Sequence, residues 1–202
     1  MILQAFERAL NMIELQQHQE LCRQFATLLS YPSKSIISDA TTCSTDLKLV
    51  SPEASTTLES FLTFLETNDI NRIEEAFTGT FDLQSLCHPY VGYQLCGESQ
   101  QRTMFMLKLK DIYQEYGFVS GNELPDHLTE VMRFIGSISD QECRQEIIQD
   151  GLLPALAKIT LGIESDGRPY VSILNALQSF LTDTASPGNE RLPDERQKEC
   201  LS

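Results

Sequence analysis

No hydrophobic run in the chain approaches the roughly 20 residues a helix needs to span a bilayer, so no transmembrane segment is expected. Basic residues are scarce. The 15 Lys and Arg face 29 Asp and Glu, a formal net charge of −14, and such a surface repels phosphate backbones and anionic lipid. Nucleic acid and membrane surfaces are thereby excluded as partners, and a charged partner should be basic. The six cysteines, at 22, 43, 87, 96, 143 and 200, contain no CxxC pair. The opening residues already hold Glu7 and Arg8, with no apolar segment or small-residue cleavage site after them, so no signal peptide is read there. A cytoplasmic protein with reduced thiols is the expectation. Walker A and dinucleotide fingerprints are absent, as is any internal repeat of fixed period.

What is present is enough apolar material, 41% of 202 residues, for one core. Its spacing is helical throughout, with no alternating strand pattern in competition. Residues 1–29 carry two apolar stripes, Leu3, Phe6, Leu10 and Ile13, then Leu21, Phe25, Leu28 and Leu29, and Tyr31-Pro32 stops them. The Ser- and Thr-rich stretch 33–50 is allotted one short helix at most. Ser51-Pro52 is an N-cap followed by Pro at the first helical position, and Leu58, Phe61, Leu62 and Leu65 follow. Asn68-Asp69 ends that helix and caps the next, with Ile70, Ile73 and Phe77. Residues 140–163 read as one helix or two, with a break at Gly151-Leu-Leu-Pro154. Tyr170, Ile173, Leu174, Leu177 and Leu181 mark the last helix. The sum is an all-α, single compact domain of about seven to nine helices over residues 1–183. Residues 184–202 form a polar tail expected to be disordered.

The segment richest in special residues is Asn122-Glu-Leu-Pro-Asp-His127. It joins a helix with Phe105, Leu109, Ile112 and Tyr116 on one face to another with Leu128, Val131, Met132 and Ile135. Gly117 should end the first as a left-handed cap, with Phe118 folding back on Tyr113. Pro125 suits the first turn of the second helix, which places Asp126 and His127 at its positive end. Residues 81–97 are the least helical stretch, and a segment of this kind inside a helical domain is more often functional than idle.

Three chemistries can be drawn from these residues. Cys87, His88, Cys96 and His127 offer metal-ligand types, but their spacing matches no zinc motif. Cys96, His127 and Asp126 offer a nucleophile, base and orienting acid by type, without a nucleophile elbow or glycine-rich oxyanion loop beside them. The aromatics Phe77, Phe81, Tyr90 and Tyr93 border the irregular segment, where such side chains either join the core or wall a groove for a helical peptide. The last favours a binding module over an enzyme.

Three runs together resemble the signature of the NarJ-type chaperones, within the TorD/DmsD group that matures molybdenum enzymes. They are Phe77-Thr-Gly-Thr-Phe81-Asp82-Leu83, the block Pro89 to Ser99 with Arg102 after it, and Glu123-Leu-Pro-Asp-His-Leu128. The resemblance implies an all-helical, TorD-like fold and a non-catalytic, system-specific chaperone. Such a protein binds the N-terminal segment of a respiratory molybdenum oxidoreductase catalytic subunit, typically that of nitrate reductase. It holds the subunit until molybdopterin guanine dinucleotide is inserted, and keeps no cofactor permanently itself. The resemblance makes Glu123, Leu124, Pro125, Asp126 and His127 the peptide-contact hinge and Phe77, Phe81, Tyr90 and Tyr93 the walls. His127 would lend binding a pH dependence. A monomer is the favoured state, and a general helical peptide-binding adaptor without a molybdoenzyme client is the alternative.

Departures from the pattern bear on the client. Many NarJ-type sequences have histidines where this chain reads Gly92-Tyr-Gln-Leu-Cys96, and related chaperones use Trp in the groove, of which this chain has none. Chlorate, selenate, dimethylsulfide and ethylbenzene enzymes therefore stand beside nitrate reductase as clients.

Overall fold

The computed structural model describes residues 2–83, 88–161 and 168–185, and it is helical almost throughout. The elements are α1 (Ile2–Leu28), α2 (Ile36–Val50), α3 (Pro52–Thr67), α4 (Ile70–Phe81), α5 (Val91–Cys96), α6 (Gln100–Glu115), α7 (Leu128–Ile135), α8 (Gln141–Glu146), a π-helical turn (Ile147–Leu152), α9 (Leu153–Leu161) and α10 (Pro169–Thr184). The last three before α10 run on as one rod, so the described residues form nine helical rods, as the all-α reading anticipates. The polar tail expected after residue 183 lies outside the described residues apart from Thr184 and Ala185.

Helix α10 sits at the centre. Its whole predicted stripe, Tyr170, Ile173, Leu174, Leu177 and Leu181, is fully buried, and it packs against α3, α1, α9 and α4. Helix α1 lies on α2 and α7 through Leu21, Phe25, Leu28 and Leu29, with Phe25 stacked on Phe180 at 5.6 Å. The caps form as the sequence suggests. Ser51 accepts from the Ala54 N–H at the start of α3, and Asp69 from Arg72 at the start of α4. Gly117 adopts φ +65°, where only glycine is unstrained, and Phe118 folds back to donate to the Tyr113 carbonyl at 2.8 Å.

Four expectations are corrected. Most of the stretch 33–50 is one helix, Ile36–Val50, because Ile36, Ala40, Cys43, Ser44 and Leu47 form a buried stripe whose middle is of small residues. Residues 81–97 are not wholly irregular, since α5 lies within them. In place of a break at 151–154 there is a π turn over Ile147–Leu152; its wider ring leaves room for Pro154, which has no N–H to give the helical ladder. The first apolar stripe of α1 is not core: Phe6 is 62% exposed and Ile13 51%. It continues the helix beyond the body of the molecule.

Candidate functional site

The site grows from a buried arginine. Arg102 lies on the inner face of α6, three and seven residues before Phe105 and Leu109, and is only 7% exposed. A guanidinium there requires an anion. Asp126, fully buried, supplies it: Arg102 Nε donates to Asp126 Oδ2 at 2.8 Å. Glu98, one turn back, receives Arg102 Nη1 from the solvent side. The hydrogen bond that Arg102 donates to Asp126 is the chief cause that raises the Arg102 pKa, so the cation is permanent.

Asp126 is delivered by a turn and a bridge. Leu124 to His127 form a turn closed by His127 N–H to the Leu124 carbonyl at 2.9 Å, with Pro125 at its second position. The chain then runs antiparallel beside residues 89–91. Val91 N–H donates to the Asp126 carbonyl and Leu128 N–H to the Pro89 carbonyl, each at 2.7 Å. Tyr113 Oη donates to the Pro125 carbonyl at 2.9 Å from α6. Pro125, Asp126 and His127 are therefore not in the opening turn of a helix, as their spacing suggested. Helix α7 begins at Leu128, and the cap is His127, whose Nδ1 accepts from the Thr129 N–H at 3.3 Å. The bridge wins because it satisfies backbone groups on both segments at once.

The aromatics divide into two sets. Tyr90 and Tyr93, both half-buried, lie under the Arg102 guanidinium at 5.1 and 5.7 Å from their ring centres. Tyr90 meets the His127 ring edge-on at 5.2 Å, and Tyr93 meets His88 likewise. Phe77 and Phe81, in contrast, are buried and pack edge-on against Tyr170 at 5.4 and 5.5 Å. Their surface neighbour is Tyr31, which is 58% exposed and stands edge-on to Phe77 at 5.5 Å. The hydroxyl of Tyr170 below has no hydrogen-bond partner among the described residues.

Acidic groups join the two sets. The Tyr90 pKa is raised by burial first, then by Glu123 and Asp126, with Asp82 also in range. That of Tyr31 is raised by desolvation, then by Glu74 and Asp82. Asp82 thus lies within electrostatic reach of both tyrosines. Glu123 and Leu124 are exposed at the far end of this strip. His127 has its pKa lowered, chiefly by burial, although Glu123, Glu130 and Asp126 oppose the shift.

Close packing fixes this arrangement. A Cβ at Gly92 would lie 2.8 Å from Asp126 Oδ2 and 2.9 Å from Phe105 Cδ1, so only glycine lets α5 approach the ion pair. Sequence reasoning quoted Arg102 without giving it a role; an arginine in register with an apolar face was the available signal. Tyr31 and Glu130 were missed. Glu130 is 3% exposed and accepts from the Gly121 N–H at 2.9 Å, holding the loop before the turn.

The arrangement does not form the catalytic constellation that the residue types offered. The Asp126 carboxylate is held by Arg102 and His127 Nδ1 by Thr129, at 2.6 Å to its hydroxyl, so neither orients the other for nucleophile activation. Among the described residues no group of three or more His, Cys, Asp or Glu could hold a metal; Cys87 lies outside them. The result is a helical body that carries an acid-rimmed aromatic strip at its surface.

Comparison with known proteins supplies the family. The model of the nitrate reductase delta subunit family matches residues 48–187, more than half of the chain, and the chain belongs to that family. It is a family of NarJ-type assembly chaperones, not of enzymes. A probable nitrate reductase molybdenum cofactor assembly chaperone, NarJ, from Bacillus subtilis (strain 168) is 28% identical over 127 residues, 61% of this chain and 68% of that protein. The crystal structure of a candidate redox enzyme maturation protein from Archaeoglobus fulgidus shares the fold. Its TM-score is 0.53 at 20% identity, over 82% of this chain and 93% of that one.

Proposed function

We propose that this chaperone holds the catalytic subunit of a respiratory molybdenum oxidoreductase, nitrate reductase or a close relative, by its N-terminal segment while molybdopterin guanine dinucleotide is inserted. The observation that carries the reading is the strip in which Asp82 bridges Tyr31 and Tyr90 electrostatically and Glu123 closes the far end. Aromatic faces give an amphipathic helix its apolar seat, and carboxylates between them favour Lys or Arg on its flanks. The family and the Bacillus subtilis relative direct the choice of client. Glu123, Leu124, Pro125, Asp126 and His127 form the hinge in this reading. Tyr90 and Tyr93 are its accessible walls, with Phe77 and Phe81 supporting Tyr31 from beneath.

The hinge divides into contact and support. Glu123 and Leu124 are exposed and free to meet a peptide, whereas Pro125 and Asp126 are buried and hold the turn in shape. Contact is therefore tested on surface positions that leave the ion pair intact. Calorimetric titration with a synthetic peptide of the nitrate reductase catalytic subunit N-terminus should give a 1:1 complex. Tyr90→Ala and Glu123→Gln should each weaken it, by roughly tenfold for the aromatic anchor. Affinity unchanged in both variants would remove the strip from the binding site. Capture of the tagged protein from anaerobically grown cells tests the client. Recovery of a molybdoenzyme catalytic subunit without its membrane partner is expected, and many unrelated amphipathic partners in its place would favour the adaptor reading.

A further inference from the structure

Helix α1 outruns the helix laid along it. Gln24 donates to Asp46 of α2 at 2.7 Å, and Leu21 and Leu28, one turn to either side on the same face, are buried. Carried back in steps of three and four, that face runs through Gln17 to Ile13, Leu10 and Phe6. Helix α2 does not follow it. Its last residues, Leu49 and Val50, line a cavity with Asn11, Glu14 and Leu15 of α1, so α2 stops beside the middle of its neighbour. Phe6, Leu10 and Ile13, at 62%, 42% and 51% exposure, prolong the line on which α1 meets α2, with no α2 left to cover it. Carboxylates take one side of this line. Glu7 and Glu14, seven residues apart, border it on the edge toward that cavity, and neither has an ion-pair partner among the described residues. The other edge holds Ala9 and Gln16, and Arg8, the only Lys or Arg before Arg23, lies on the opposite side of the helix.

We infer that the first half of α1 is a docking surface for one helix of a partner polypeptide, amphipathic and with Lys or Arg along the flank that meets Glu7 and Glu14. The stripe is narrow and repeats every three and four residues, which is the seam that pairs two helices. The buried half is wider, adding Cys22, Phe25 and Ala26 to reach several neighbours. The partner helix therefore lies along α1 in line with α2. Its basic flank follows from the two carboxylates, which hold the same place beside the seam in successive heptads, where a cation on the facing helix pairs with each. A second copy of this chain fits badly. Set antiparallel, it brings Glu7 and Glu14 against their own counterparts; set parallel, it puts uncharged residues opposite them. A segment seated here is also not the one on the Tyr90 strip, because α1 rises about 33 Å from Phe6 to Leu28 before the chain reaches Tyr31.

The test uses the full chain and two designed helical peptides of about three heptads, with Leu at both seam positions of each heptad. One carries Lys at every flanking position, and its twin carries Glu there. Like charges keep each peptide from pairing with itself. Affinity is read from the amide NMR shifts of residues 6–13, so that a peptide seated on the Tyr90 strip does not count. The Lys peptide should bind about tenfold more tightly than its twin, from two attractive pairs in place of two repulsive ones. Amide exchange of residues 6–13 should slow in the complex. Leu10→Glu, at an exposed position, should weaken the Lys peptide by about tenfold although it adds a negative charge, because it removes part of the apolar seat. Glu7→Gln together with Glu14→Gln should bring the two peptides to within about twofold of each other. Equal binding of the two peptides to the wild type would overturn the site. So would a Lys peptide that Leu10→Glu leaves unchanged or strengthens, since that is general charge attraction. A wild-type chain that sediments as a dimer, with Leu10→Glu restoring the monomer, would assign the stripe to a second copy and overturn the partner helix. Tyr90→Ala should leave the affinities at residues 6–13 unchanged, which separates this inference from the reading of the Tyr90 strip.

Discussion

The Arg102–Asp126 pair fastens α6 to the 124–127 turn from within, together with the hydrogen bond from Tyr113 to the Pro125 carbonyl. Burying both charges is costly, and their attraction offsets that cost only while both remain. Asp126→Ala should therefore destabilise the fold by about 3–5 kcal/mol, because it leaves the Arg102 guanidinium buried and unpaired on that side. Arg102→Met together with Asp126→Leu should recover much of the loss. Urea unfolding of the wild type, both single variants and the double variant checks this; a double variant as unstable as Asp126→Ala would mean that the turn depends on something other than charge pairing. Gly92→Ala probes the same contact by shape. Its methyl group would enter the space of Asp126 Oδ2 and the Phe105 ring, at a cost of about 1–3 kcal/mol. A loss of that size should appear in the same unfolding experiment.

Helix α1 is one element with two characters. From Leu21 onward its residues enter the core, whereas Phe6, Leu10, Met12 and Ile13 are each more than 40% exposed. An isolated helix of about 12–15 residues is marginal in water. Backbone amide exchange in the first half of α1 should thus be faster by orders of magnitude than in the half around Phe25, as residue-resolved exchange will show. Equal protection would mean that the first half is covered in solution. The same helix shows what sequence reading can and cannot deliver. Periodicity reveals that a stripe exists, and α3, α7 and α10 were legible because their stripes are large and are the core. It does not reveal whether a stripe is covered, so Leu3 to Ile13 looked the same as Leu21 to Leu29. Helix α2 was read as one short helix at most for the opposite reason, a buried face of Ala40, Cys43 and Ser44 that carries little hydrophobic signal. The turn at Pro125 read as a helix start because the bridge to Tyr90 depends on a segment 37 positions away, which local propensity cannot see. The ion pair of Arg102 with Asp126, 24 residues apart, was beyond reach for the same reason.

For the molecule as a whole, the buried histidines set how stability responds to acid. His18 is held to about 3, by burial first and by the Arg144 charge second, and His127 is lowered by burial. In the unfolded chain a histidine titrates near 6.5. Below that pH the unfolded state takes up a proton that the folded state refuses, so the unfolded state gains and stability falls. The fall continues until the folded ring itself titrates, which for His18 means down to about pH 3. While only the unfolded state is protonated, the slope approaches about 1.4 kcal/mol per pH unit for each such group. Asp140, held low by the Cys143 N–H and the Tyr116 hydroxyl, acts in the same direction at lower pH, since it too must be protonated on unfolding in acid. Stability should consequently be flat from about pH 7 to 8, fall above about 8.5, where unfolded thiols ionise while burial holds Cys22 and Cys43 up to about 12, and decline steadily from about 6.5 toward 4. His18→Gln should flatten the upper part of that decline, because the amide keeps a donor for Thr184 and an acceptor for Arg144 but binds no proton. Denaturant midpoints at a series of pH values for the two proteins check this. A wild-type curve that stayed flat to pH 5 would mean that His18 is solvated and protonated in the folded state.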